Sequence, residues 1–303
     1  MSKNHPLVSI LTDTKNRPQL IHLCIESIQK QTYQNYEHII ADGSDNDETE
    51  KVVSSYRDPR IKYVKVPTGG PVKQTRLAFE MSKGDFITFL DDDDEYLPEK
   101  IEKQLELIQS LPEDCGFIYG SMTYYDFQTK KQLYIHEANL TGGLELLPIA
   151  VANPVICGTP TLMYRRHVFE SIGGTWVSGI GNERSDWALV CKTLKQGWKI
   201  GALKASYLRI YVNHSAVRLS NDKFYNDNAE RYLRFHQYFL EEYQNVFETN
   251  PQAASLHLLE CFSSCMELKK RLDGYQYWKR LMSVNPNVRN FARLIVKLIK
   301  SYM

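Results

Sequence analysis

Apolar and polar positions along this chain change period several times, and each change marks an element. Residues 7–12, LVSILT, form an apolar run rich in β-branched side chains, which predicts a strand. Residues 19–30, QLIHLCIESIQK, carry apolar side chains at helical spacing, and residues 36–41, YEHIIA, return to strand. The three read as a βαβ unit, with Pro18 in the first turn of its helix, where a missing N–H costs little. The pattern then repeats as a helix over 48–56, a strand at 61–66, a helix around 74–82 and a strand at 85–90. Alternation of this kind predicts an α/β fold, a mostly parallel sheet covered by helices on both faces. Ligands of such sheets bind beyond the carboxyl ends of the strands.

From about 115 to 215 the pattern is one of mixed strands and loops with a single helix over 186–196. Beyond about Asn221 it becomes helical and dense in Tyr and Phe. Two domains follow from this reading: residues 1–218 as the α/β domain and residues 219–303 as a C-terminal helical appendage. The aromatic-rich helices could bury a self-association surface and make a homo-oligomer.

Composition adds mainly exclusions. A chain of 303 residues with 43% apolar and 24% charged residues can bury a large core. Lys and Arg number 37 against 36 Asp and Glu, so no bulk charge points to a nucleic-acid partner. No window approaches the roughly 18 consecutive apolar residues of a spanning helix. The short polar leader before residue 7 lacks the pattern of a secretory signal, so a cytoplasmic location is expected. Cys24, Cys115, Cys157, Cys191, Cys261 and Cys265 form no CxxC pair and read as buried structural thiols.

The most informative segment is DFITFLDDDDEYLPEK, in which Asp91, Asp92, Asp93 and Asp94 follow a strand directly. Four adjacent carboxylates repel one another and call for a compensating cation. Mg²⁺ or Mn²⁺ suits them, being a hard ion that takes one or two carboxylates and completes its shell with water and phosphate oxygens. The competing explanation is a solvated acidic turn at the start of the next helix, which Pro98 opens.

With these residues in hand, the sequence resembles family 2 of the glycosyltransferases, which has the GT-A fold, and within it the spore-coat and capsular polysaccharide branch. VSILTDTKNRP is similar to that family's opening strand and turn, QTYQNYEHIIADGSDNDET to its second strand and nucleoside loop, and SKGDFITFLDDDDEYLP to its metal-binding segment. RRHVFESIGG followed by RSDWALVCKTLKQGWKI is similar to its acceptor-side block, and the similarity runs in the family's order over residues 7–215.

The resemblance implies an inverting, metal-dependent transfer of a sugar from a nucleotide diphosphate, UDP first among them, to a hydroxyl of a saccharide or lipid-linked saccharide in cell-surface polysaccharide assembly. Carried over by position, it implies that Asp42 contacts the base with Thr14 beside it, and that Lys73 and Arg76 lie near the nucleotide. It places Asp93 as metal ligand, with Asp91 and Asp92 toward the ribose or the metal-bound water; the all-Asp run leaves that register open by one. Asp186 aligns with the catalytic base, which takes the acceptor's proton as the hydroxyl attacks. Asp186 also starts a helix, and Asp42 precedes one, so capping competes in both cases. Trp187 could stack on an acceptor sugar or fill the core. His214, in YLRIYVNHSAVR, resembles a segment closing the site near the metal or pyrophosphate, with Arg218 a phosphate partner.

The match departs from the family's common pattern at Ala41, Lys15, and the Thr75-Arg76 pair, which leaves donor preference open. The C-terminal stretch NVRNFARLIVKLIKSYM gathers Phe291, Leu294, Ile295, Leu298 and Ile299 on one helical face with basic residues elsewhere. It would pack on the domain or lie on an anionic membrane surface as a peripheral contact. Two other classes compete: a nucleotide-sugar-binding module that has lost turnover, and a nucleotidyltransferase. The latter would need a glycine-rich triphosphate loop, and TDTKNRPQ has no glycine.

Overall fold

The structure, a computed structural model, describes residues 5–66, 70–154, 158–174, 185–213 and 229–286. These residues fall into two units: residues through 144 with 158–174 and 185–213, and residues 145–154 with 229–286.

The first unit is built on one sheet. β1 (Val8–Thr14), β2 (Tyr36–Asp42), β3 (Ile61–Lys65) and β4 (Phe86–Phe89) are mutually parallel, in the order β3-β2-β1-β4. The helices α1 (Ile21–Gln29), α2 (Glu48–Ser55) and α3 (Gly70–Met81) make the crossovers that parallel pairing requires. α1 buries Ile21, Cys24, Ile25 and Ile28, spaced three and four apart, because only that face meets the sheet. Each fully buried Ile stabilises the unit by roughly 2 kcal/mol relative to exposure.

β4 leads through the acidic turn to β5 (Glu95–Tyr96) and α4 (Lys100–Ser110), and then to the long β6 (Cys115–Asp126). Here the sheet stops being parallel, unlike the mostly parallel one that the alternation predicts. β7 (Gln132–His136) folds back on β6, and β8 (Leu162–Arg165) runs antiparallel to both β4 and β6. A strand joined by a tight turn needs no crossover helix, and the β6–β7 pair is joined across residues 127–131. β9 (Lys199–Val212) is again parallel to β6 and antiparallel to β5. Between β8 and β9 come α6 (Arg166–Ser171) and α7 (Ser185–Lys195), α5 (Leu147–Ala152) belonging to the other unit.

The order places a topological switch at β1: the chain steps from β1 to β2 and β3 on one side, then crosses to β4 on the other. Ligands of open α/β sheets bind at such a point, outside the carboxyl ends of the strands. Those ends are Asp13 and Thr14 on β1, Ala41 and Asp42 on β2, and Asp91–Asp94 after β4.

His38 ties these central strands together beneath the switch. It is fully buried, with its Nε2 3.0 Å from the Thr12 hydroxyl. That hydroxyl donates to the Leu90 carbonyl, so the ring donates to it from Nε2. Burial pushes its pKa down to about 3 from 6.5. The unfolded chain therefore binds a proton that the fold refuses, and stability falls as pH drops through 6.5 toward 3. We expect a loss of about 3 kcal/mol between pH 7 and pH 4 from this group alone. Urea unfolding at the two pH values measures it, and His38→Gln should flatten the profile; an unchanged slope in that variant would remove His38 from the acid response. Buried Lys100, whose Nζ lies 3.8 Å over the Tyr96 ring, is likewise held well below its ordinary value by burial.

The second unit is helical: α5 with α8 (Ala229–Glu242), α9 (Gln244–Thr249), α10 (Ser255–Glu267) and α11 (Arg271–Val284). His257 donates from Nε2 to the Val151 carbonyl at 2.8 Å, and its Nδ1 lies 2.9 Å from that of His236. This buried contact is why 145–154 belongs here, although the expected boundary near 218 assigned it to the α/β domain. Gly274 lets α11 approach α10, since a Cβ there would stand 3.3 Å from that of Cys265. Among the described residues no helix is long and apolar enough to cross a membrane. Cys24, Cys115, Cys191, Cys261 and Cys265 are buried and free, as expected, while Cys157 and the amphipathic stretch after 286 lie outside the described residues.

Candidate active site

The acidic turn is fixed to β1 from below and from the side. Leu90 N–H donates to the Leu11 carbonyl, and the Thr12 hydroxyl donates to the Leu90 carbonyl, so the turn begins at the end of β1. Its four carboxylates then part company. Asp92 is 2% exposed and turns onto β1, accepting the Thr14 hydroxyl at 2.6 Å and Arg17 Nη1 at 2.8 Å. Burial pushes it up to about 6, against the pull of Arg17. The Arg17 guanidinium also reaches Asp93 at 3.4 Å.

Asp91, Asp93 and Asp94 form the other set, each with a carboxylate oxygen within 4.8 Å of the others'. Asp94 also accepts the Tyr211 N–H at 2.9 Å, which holds the turn to β9. Three converging hard oxygen donors, two of them buried, fit Mg²⁺ or Mn²⁺. Asp93 thus lies in the cluster expected of it, with Asp91 beside it, whereas Asp92 faces away toward Thr14 and Arg17.

Arg17 was not singled out in the sequence. Its carboxylate partners stand 75 and 76 residues along the chain. The signal was the charge imbalance of the Asp run, which calls for a cation, together with an arginine in the turn after the first strand.

At the end of β2 stands Asp42. It is fully buried, and its oxygens are taken by the Ser44 N–H at 2.7 Å, the Tyr63 hydroxyl at 2.7 Å and Lys65 Nζ at 3.3 Å. Lys65 is its register neighbour on β3, so the parallel pairing itself brings the ammonium there. These three donors hold the loop after β2 in shape, one on Oδ1 and two on Oδ2. Thr14 is its register neighbour on β1, but the Thr14 hydroxyl is committed to Asp92.

Asp13 is the other acid at this end, half-buried between Thr75 and the acidic turn. The Thr75 hydroxyl approaches it at 3.4 Å, and burial together with the Asp92 charge pushes it up to about 7. Beside it on α3, Gln74 is buried and donates to the carbonyls of both Thr14 and Ala41, which locks the helix to β1 and β2. Lys73 and Arg76 are exposed on the same helix, and Arg76 pairs with Glu80 at 2.9 Å.

Asp186 opens α7 and is half-buried. One oxygen accepts the Gly158 N–H at 3.0 Å, the other the N–H of Trp187 at 2.9 Å. Gly158 has φ +79, a left-handed conformation that favours glycine, and begins a 3-10 turn at Thr159–Thr161 that feeds β8. The Pro160 carbonyl in that turn lies 3.5 Å from the Tyr96 hydroxyl, which donates to Phe89 at the end of β4. Asp186 is therefore tied through Gly158 to the end of the strand that carries the Asp run. Trp187 is 1% exposed and fills the core, so burial settles its role against stacking on a sugar. His214 and Arg218 lie outside the described residues.

Comparison with known proteins adds the following. The model of glycosyl transferase family 2 matches residues 9–173. The Escherichia coli K12 protein WcaA, named as a colanic acid biosynthesis glycosyl transferase, is 30% identical over 177 residues, 57% of this chain and 58% of that protein. An uncharacterized glycosyltransferase of Haemophilus influenzae is 26% identical over 297 residues, 97% of this chain and 96% of that one. Thus the chain spans little more than half the length of the first relative and nearly all of the second. Among solved structures, the Pyrobaculum calidifontis mannosyltransferase PcManGT in complex with GDP-Man and Mn²⁺ superposes with TM-score 0.60 at 16% identity, over 99% of this chain and 88% of that one. S. aureus TarS in complex with UDP-GlcNAc gives 0.58 at 17%, over 93% and 91%. At such identities the likeness is one of fold.

Proposed function

The chain belongs to glycosyl transferase family 2 and has the GT-A fold, and on that premise we propose that it transfers a sugar, with inversion, from a nucleoside diphosphate to a hydroxyl of a saccharide or lipid-linked saccharide. The observation that carries this reading is the convergence of Asp91, Asp93 and Asp94 at the switch point of the sheet, at the end of the strand to which Asp186 is tied.

Asp91, Asp93 and Asp94 would hold Mn²⁺ or Mg²⁺. When bound, the ion supplies positive charge that stabilises a departing diphosphate. Asp186 takes the proton from the acceptor hydroxyl as its oxygen bonds to the anomeric carbon and the bond from that carbon to the diphosphate breaks. Its contact with the Gly158 N–H fixes one carboxylate oxygen and thereby aims the group. Arg17 and Thr14 hold Asp92, which keeps the turn in place and spreads its negative charge. Breaking a buried pair such as Arg17–Asp92 typically costs about 3–5 kcal/mol, so this turn is rigid by construction. UDP stands first among donors in this proposal, and the setting is the assembly of cell-surface polysaccharide.

The test is release of nucleoside diphosphate from UDP-, GDP- and dTDP-sugars by the full chain, with Mn²⁺ and with EDTA. Metal-dependent release from one donor class, accelerated by a saccharide or lipid-linked acceptor, is the expected result. Absence of release from every donor, with acceptors present, would overturn the reading.

A further inference from the structure

β7 lies at the margin of the sheet, and among the described residues β6 is its only strand partner. At the end of β6 the Asp126 N–H donates to the Lys131 carbonyl, and the next N–H, of Phe127, donates to Val212 of β9. Successive residues here therefore serve opposite neighbours. By that alternation Tyr124 spends its backbone groups on its register partner Tyr134, and the N–H and C=O of the next residue, Ile135, point to the far edge of β7.

The side chains of β7 are as open as that edge. Leu133, Tyr134 and Ile135 are 49%, 55% and 49% exposed, large apolar residues in direct succession. A protein that keeps an edge strand single commonly blunts it with a charge or a proline, and Gln132–His136 holds no Lys, Arg, Asp, Glu or Pro. The nearest charges are the exposed Lys131 and Glu137, of opposite sign and equidistant from Tyr134. That spacing makes the strand complementary to itself. An antiparallel pair with Tyr134 opposite its own copy sets Leu133 against Ile135 and Lys131 against Glu137, each twice by the two-fold axis. Sliding either strand by two residues, the nearest register that keeps the hydrogen bonds, leaves both charges against neutral side chains. Tyr134 stacks on Tyr124 with ring centroids 4.3 Å apart, so its ring is already held in place for a partner.

We propose that β7 is a dimerisation strand: two copies of this chain pair their β7 edges antiparallel about a two-fold axis through Tyr134, joining two sheets into one. The outward N–H and C=O of Ile135 then find partners on the second copy. The other occupant such an edge could take is an anionic membrane surface, with the hairpin lysines as its anchor. Lys130, however, lies over the rings of Phe127 and Tyr211, at 4.1 and 4.2 Å, and Glu137 would meet that surface with like charge. A second copy pairs both flanking charges and the backbone edge, and lipid pairs neither.

The experiment is sedimentation equilibrium of the full chain between about 1 and about 100 µM, beside charge variants of the strand's two flanks. A single strand pair is a small interface, so the native chain should show a concentration-dependent equilibrium of monomer and dimer. Lys131→Glu opposes like charges at both ends of the pair and should weaken the dimer by about 10-fold, as should Glu137→Lys. The chain carrying both changes should regain the native dimer. Both residues are exposed, so these variants should fold as the native chain does. Tyr134→Cys checks the register, because opposite residues of a non-hydrogen-bonded pair have Cα atoms about 4.5 Å apart, within disulfide reach. Air oxidation of that variant should link two copies into a dimer that a thiol reductant separates. A monomer at every concentration would overturn the proposal, and so would a dimer that neither single charge variant weakens or a Tyr134→Cys chain that does not cross-link. Co-sedimentation of a monomeric chain with phosphatidylglycerol vesicles, lost in Leu133→Lys, would overturn it in favour of a membrane contact.

Discussion

Asp93→Ala is expected to abolish metal-dependent binding of the nucleoside diphosphate and to reduce turnover by at least about three orders of magnitude. Metal stabilisation of a charged leaving group is worth several kcal/mol, and each 1.36 kcal/mol is about tenfold in rate. The loss follows from position, because Asp93 is 3% exposed and sits in the carboxylate cluster with Asp91 and Asp94. The fold should survive, since removing one of several crowded acids relieves repulsion while Arg17 keeps its 2.8 Å contact with Asp92. Calorimetry with Mn²⁺ and the favoured nucleotide checks the binding arm. Affinity equal to that of the native chain would take Asp93 out of the metal site.

Asp186→Asn has the opposite signature. It should leave nucleotide affinity within about twofold while lowering turnover by roughly two to four orders of magnitude, the usual weight of a general base. Asparagine keeps a carbonyl oxygen that can accept the Gly158 N–H, so the turn before β8 should hold its shape. The comparison thereby separates the two competing roles of this residue. A cap serves structure, and its loss lowers thermal stability; a base serves chemistry, and its loss lowers kcat. Native turnover with a lowered melting temperature would assign Asp186 to capping alone.

The parts of this architecture that depend on local pattern were legible in the sequence. The period of apolar residues predicts helices over 19–30 and 48–56, and the structure has them at Ile21–Gln29 and Glu48–Ser55. The strand expected at 85–90, found at Phe86–Phe89, and the acidic run beyond it were equally plain, because an apolar strand followed closely by four acids has few structural explanations. Pairing direction was not legible. β8 is a short buried run that reads the same parallel or antiparallel, and only its partners on β4 and β6 decide.

In the site, a run of identical residues hides its own register. Nothing in DDDD tells which carboxylate turns inward, and the choice of Asp92 is made by Thr14 and Arg17, far away in the chain. The surroundings of Asp42 were hidden for a related reason. Its position after a strand suggests a ligand contact, and nothing local tells that Tyr63 and Lys65, which arrive with β3, also bond to its Oδ2. Trp187 was open between two roles in the sequence, and only burial could choose between them.

The central claim is that this sheet end binds a nucleoside diphosphate through carboxylate-held metal. Calorimetric titration of the full chain with UDP and GDP, in Mn²⁺ and then in EDTA, tests it most directly. The account predicts saturable binding of at least one of them in Mn²⁺ that is lost in EDTA. Binding of equal strength in EDTA would contradict the metal's role, and no binding of either nucleotide in Mn²⁺ would contradict the claim as a whole.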